Sequence, residues 1–285
     1  MSRKVLFPLV AIIGLFILTM ASAGCKARDW LEARDHLNKG VQAFKSAKYS
    51  EAVEHFKTAV DLDSKNPTAR LYLATAYMSQ YIPGAGSPEN EQMAKAAHDQ
   101  FLEVLKQDPK NVVAITSIAS LYYQEASGIQ GDARTKKLDQ AREWYEKLVA
   151  ADPNNKDAYY TLGVIDWAKW YPAFGAARAE LGMKPEEPGP LKDKKLRDKM
   201  RAEYLPIIDD GIGNLSKALE KDPEYDDAMA YLNLLHREKA DLAESQAEHT
   251  KEIAEADMWL QKALDTKKMK AAKVPATGGV QAEGK

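Results

Sequence analysis

The stretch Ala52-Val-Glu-His-Phe56-Lys-Thr-Ala59-Val-Asp-Leu-Asp63-Ser-Lys-Asn66-Pro67-Thr-Ala69 contains one amphipathic helix, its stop and the start of the next helix. Ala52, Phe56 and Ala59 are spaced by four and three residues, which places them on one helical face. Asn66 is suited to cap the following helix and Pro67 to open it. The same grammar recurs in Asp108-Pro-Lys-Asn-Val-Val-Ala114, Asp152-Pro-Asn-Asn-Lys-Asp-Ala158 and Asp222-Pro-Glu-Tyr-Asp-Asp-Ala228. In these three, proline disfavours helical geometry for the aspartate before it. Asn111 and Asn155 stand where Asn66 stands.

The small–large–small trio recurs with the punctuation. Ala97, Phe101 and Val104 are followed by Ala141, Tyr145 and Leu148, by Gly211, Leu215 and Ala218, and by Ala256, Leu260 and Ala263. Partner helices carry Gly40, Ala74, Ala119 and Gly163 where two helices approach closely, with Asn233 as the departure in the fifth unit.

This pattern resembles the tetratricopeptide repeat, a unit of about 34 residues whose two antiparallel helices stack into a superhelix. Gly40, Tyr49, Ala52, Phe56 and Ala59 carry the match in the first unit. The resemblance implies an all-α solenoid of about five helical hairpins over residues 33–270. Insertions are expected between the hairpin helices of units two to five, all emerging along one edge. The longest runs from about Ala168 to Asp210, with Pro206 expected to close its helix. Residues 271–285 lack apolar periodicity and read as a disordered tail.

The first 25 residues set an address. Arg3 and Lys4 precede the apolar stretch Val5–Ala21, and small residues lead to Cys25, the lone cysteine among 285 residues. Residues 1–24 read as an export signal peptide. Ala23-Gly24-Cys25 resembles the lipobox of bacterial lipoproteins, which implies lipidation at Cys25 and a linker over residues 25–32. Ser22 departs from the usual leucine. Ala21-Ser22-Ala23 is also a cleavage pattern that would release a soluble periplasmic protein, and an uncleaved anchor is a third reading. The expected location is the bacterial cell envelope, lipid-anchored and periplasm-facing.

Composition narrows the function. Without residues 1–24 the chain holds 38 basic and 42 acidic residues, which argues against a general nucleic-acid binder. One cysteine excludes a disulfide framework and a multi-cysteine metal site. His36, His55, His98, His236 and His249 show no metal-binding helical spacing, and the sequence carries no Gly-rich phosphate loop or G-x-S-x-G elbow. No metal, cofactor or catalytic residue is assigned.

The tetratricopeptide resemblance implies a non-catalytic interaction scaffold whose partner is another envelope protein or peptide. On the first helix of each hairpin, Phe44, Met78, Tyr123, Tyr160 and Trp167 are candidates for a partner-binding groove, and ordinary helix packing is the competing reading. In the long insertion, Trp170, Tyr171 and Phe174 either form a binding rim or pack the insertion itself. The alternative function is an envelope enzyme or small-ligand protein using this aromatic insertion as a pocket. The two differ in polar inventory: a pocket for chemistry gathers titratable groups around Trp167–Phe174, whereas a scaffold presents aromatic and backbone surface.

Overall fold

A computed structural model describes residues 27–184, 187 and 189–273. Among the described residues the chain is all-α, with ten helices and no strand. They are α1 (27–45), α2 (Tyr49–Leu62), α3 (Pro67–Met78), α4 (Pro88–Gln107), α5 (Val112–Ser127), α6 (Gly131–Ala151), α7 (Lys156–Glu180), α8 (Lys194–Lys221), α9 (Asp226–Asp241) and α10 (Gln246–Lys273). The chain divides into two compact units, one ending at Arg134 and the other starting at Thr135.

The expected punctuation is present at atomic detail. The side chains of Asn66, Asn111 and Asn155 accept hydrogen bonds from the backbone N–H of Ala69, Ala114 and Ala158 at 3.1, 3.1 and 3.0 Å. Each satisfies one of the donors that a helix start leaves unpaired. Tyr225 holds the same position before α9 and makes no side-chain cap.

In the first unit, Phe56 and Phe101 are completely buried. Phe56 stacks on Tyr72 of the next helix with ring centroids 5.4 Å apart. The loop between α3 and α4 folds back onto α4 through buried Asn90. Asn90 accepts from Ile82 N–H at 2.7 Å and donates to the carbonyls of Ile82 and Ala85 at 2.9 and 2.7 Å. The α3–α4 and α5–α6 loops meet, as the sequence geometry requires. A Cβ on Gly128 would lie 2.5 Å from the Gly84 Cα, so the backbones touch with no room for a side chain.

In the second unit the expected insertion is largely a continuation of its hairpin. α7 runs on to Glu180 and α8 begins at Lys194, leaving residues 181–193 as the connection. Trp170 is completely buried against Tyr204 and Phe174, with centroids 5.2 and 5.1 Å away. Ile208, Leu215, Leu232 and Leu235 complete this core.

Four expectations are corrected. Pro206 does not close its helix: α8 passes through it to Lys221. Proline supplies no N–H to the preceding turn, but Met200 and Ile208 on either side are buried, and their packing holds the helix together across the gap. The segment read as a linker is helical over its described residues, 27–32. Helix α10 extends to Lys273, so residues 271–273 are not tail; residues 274–285 lie outside the described residues. Leu260 is 40% exposed, unlike Phe56 and Phe101 at the same position of earlier trios. Helix α10 is the last described helix, so no described helix follows to cover it. Ala256 and Ala263, which face the preceding helices, are buried.

Candidate functional site

The second unit concentrates aromatic side chains on α7. Tyr160, Trp167, Tyr171 and Phe174 recur at near-whole numbers of turns. Trp167 stacks on Tyr171 at 4.7 Å and meets Tyr231 of α9 edge-on at 5.5 Å. Tyr160 lies 5.0 Å from Tyr225 and 5.7 Å from Tyr231. Edge-to-face and offset contacts of this kind align the positive ring edge with a neighbouring π face.

Beneath the aromatics lie buried ionisable groups. Glu238 of α9 accepts one hydrogen bond from each of two indoles, Trp167 Nε1 at 3.0 Å and Trp170 Nε1 at 2.6 Å. Burial pushes its carboxyl up to about 7, against the opposing pull of the two indole N–H groups. Arg178 near the end of α7 donates to Asp241 at 2.7 Å and to the carbonyls of Lys184 and Glu187. Burial also raises Asp241 to about 7, despite the facing guanidinium. One arginine thus ties α7, the connecting segment and α9 together.

A second ionic cluster joins α6, α7 and α8. Asp166, 1% exposed, faces the Arg142 guanidinium, with Asn214 at 3.4 Å and Asp210 on the far side of the arginine at 3.3 Å. Burial raises Asp166 to about 7, partly countered by Arg142. Asp209 pairs with Lys239 at 2.8 Å. Asp209 and Asp210, adjacent on α8, therefore serve two inter-helix ion pairs.

The candidate residues fall in both units. Phe44, Met78 and Tyr123 belong to the first and are each partly buried; Phe44 packs edge-on against Tyr49 at 5.2 Å. Tyr160 and Trp167 belong to the second, partly buried within the aromatic group. Of the rim candidates, Trp170 and Phe174 are core residues, because their side of α7 turns inward against α8 and α9. For these two the packing alternative holds, and not the binding rim. Tyr171, one residue along the helix from Trp170, is 44% exposed. Cys25 lies outside the described residues.

Sequence reasoning missed Glu238, Arg178, Asp241, Tyr225 and Tyr231 as members of this site. For Glu238, Arg178 and Asp241 the only signal was an acid or base at an otherwise apolar helical position, too common a pattern to single them out. It also missed that His36 and His55, on adjacent helices, approach to 3.1 Å between Nδ1 atoms. No group of three or more His, Cys, Asp or Glu side chains able to hold a metal occurs among the described residues. Among those residues no helix is long and apolar enough to cross a membrane.

Residues 43–80 match the family model described as TPR repeat. The fold is similar to the crystal structure of MamA protein, with TM-score 0.51 and 16% identity over 87% of this chain and 98% of that one. It is also similar to MamA 41-end from Desulfovibrio magneticus RS-1, with TM-score 0.50 and 17% identity over 84% and 96% of the two chains. A probable UDP-N-acetylglucosamine–peptide N-acetylglucosaminyltransferase, SPINDLY of Hordeum vulgare, is 27% identical over 140 residues, 47% of this chain. The match spans only 13% of that protein's length. The helical-hairpin fold is thus shared with known repeat structures, and a tetratricopeptide repeat is recognised at residues 43–80.

Proposed function

We propose that this chain is a non-catalytic protein–protein interaction scaffold of the bacterial cell envelope, exported by residues 1–24 and tethered through a lipid on Cys25. The observation that carries the scaffold reading is the run of partly exposed aromatics on first helices of its hairpins, with Tyr171 open to solvent on top of Trp167. The likeness to a transferase of which the match spans 13% is read as shared repeat architecture, not shared catalysis. Lipidation at Cys25 rests on the sequence pattern, and a mass of the mature N-terminal peptide tests it: an unmodified start at Gly24 overturns it.

Partner binding is tested by capture from detergent-treated membranes with the tagged protein. Phe44→Ser, Tyr123→Ser and Tyr171→Ser are expected to weaken capture at least about fivefold, equivalent to about 1–2 kcal/mol. Thermal unfolding is measured on the same variants. Loss of capture only in proportion to lost folding would remove the groove reading. Trp167→Phe keeps the ring stack and removes the bond to Glu238, which separates packing from contact.

A second reading has one specific observation behind it. Titratable groups do gather around Trp167–Phe174, as a small-ligand pocket requires.

A further inference from the structure

Trp30 and Leu31 stand side by side in the first turns of α1 and are 48% and 61% exposed. Burial on α1 begins at Ala33, on the opposite side of the helix from Leu31. At about 100° per residue, Ala27, Trp30, Leu31 and Arg34 share one face. The acids lie elsewhere. Asp29 and Glu32 fall on the far side, and Asp35, at the flank, is paired with Lys39 at 2.6 Å. Arg34 holds its guanidinium over the Trp30 ring, 4.9 Å from the centroid, so ring and cation are presented together.

The place of this face in the chain says what covers it. Helix α1 is described from residue 27, two residues after Cys25. Two residues span at most about 7 Å, and the three helical residues from 27 to Trp30 add about 4.5 Å. A chain tethered at Cys25 therefore keeps Trp30 within about 12 Å of its tether, while the polar zone on each side of a bilayer's hydrocarbon core is about 5–8 Å thick. We propose that this face of α1 is seated in the headgroup zone of a phospholipid membrane, with Trp30 and Leu31 inserted and Arg34 reaching the phosphates. Tryptophan favours that zone, and arginine can bury its stem there while its charge stays in water. The inference rests on the tethering under the proposed function, which brings α1 to the membrane. Lys26, Arg28 and Arg34 are balanced by Asp29, Glu32 and Asp35, so the contact is aromatic and apolar and needs no anionic lipid. Its consequence is orientation: a tether alone leaves α1 free to turn, whereas a seated Trp30 fixes the start of the helix against the surface.

The test uses the full chain purified from membranes and placed in phosphatidylcholine vesicles, with or without bromine on the acyl chains near the headgroup. Brominated lipid is expected to quench Trp30. Trp30→Phe, which keeps the other four tryptophans, is expected to lose at least about fivefold less emission than the parent. Leu31→Glu is expected to reduce the quenching to the Trp30→Phe level with unchanged thermal unfolding, because Leu31 is open to solvent. Equal quenching of the parent and Trp30→Phe overturns the proposal. So does shielding of Trp30 from aqueous iodide without bromolipid quenching, which identifies a protein as the occupant. The mass of the N-terminal peptide is taken on the same sample. A lipidated Cys25 with Trp30 unquenched removes the membrane contact and keeps the tether; Trp30 quenched without the lipid keeps the contact and removes the lipid tether; neither removes both.

Discussion

Gly163 of α7 and Leu215 of α8 meet with no space between them: a Cβ on the glycine would fall 2.5 Å from the leucine Cγ and 3.0 Å from the Gly211 carbonyl oxygen. Leu215 is the large central member of its trio, and it is completely buried. The small residue on one helix and the large one on the next are two halves of a single contact.

Gly163→Ala should therefore lower stability by about 1–3 kcal/mol, since neither the leucine branch point nor the carbonyl can easily retreat from a packed core. Gly213→Ala is the control on the neighbouring helix. Nothing lies within 4 Å of a Cβ there, so the gain in helix propensity should raise stability by about 0.5–1 kcal/mol. Urea unfolding of the two variants checks both; opposite signs are the expected result.

Glu238 gives the protein a pH dependence of definite sign. Its carboxyl is raised from 4.5 to about 7 in the folded chain. The folded state therefore holds the proton more tightly, and its contribution is fully present below about pH 4.5 and lost as pH rises through about 7. Asp166 and Asp241 act in the same direction. The expected decline is on the order of 3–4 kcal/mol at most per group. Unfolding midpoints at pH 5, 6, 7 and 8 measure it, and Glu238→Gln should flatten the curve. That variant also starts lower by about 1–3 kcal/mol, because an amide cannot accept from both indoles.

The three asparagine caps should behave as independent units. Asn66→Ala, Asn111→Ala and Asn155→Ala each remove an acceptor for a helix-start N–H and should each cost about 1 kcal/mol. The caps open separate helices, so the triple variant should lose close to the sum. Thermal unfolding of the single and triple variants decides whether the caps are additive.

Pro206→Ala restores an N–H in the middle of α8. If Met200 and Ile208 hold the helix together despite the proline, the substitution should raise stability by roughly 1–3 kcal/mol and increase helical ellipticity slightly. A loss of stability would mean that the local bend is required for α8 to pack.

The sequence by itself determined what depends on residues close together in the chain. Asparagine caps, proline positions and trios spaced by four and three all act within one or two turns, so hairpin boundaries near Asn66, Asn111 and Asn155 were readable directly. Tertiary structure alone decided which side of α7 faces inward. Trp170 and Tyr171 are adjacent in sequence and about 100° apart around the helix, and their fates differ because α8 and α9 cover only one of those sides. It also decided that Glu238 meets indoles 71 and 68 residues earlier, and that Arg178 meets Asp241 63 residues later. Such pairings follow from which helices become neighbours and at what rotation, and no local pattern encodes that. Leu260 carries the same lesson: its place in a trio marks the face a following helix would cover, and its exposure follows from the absence of one among the described residues.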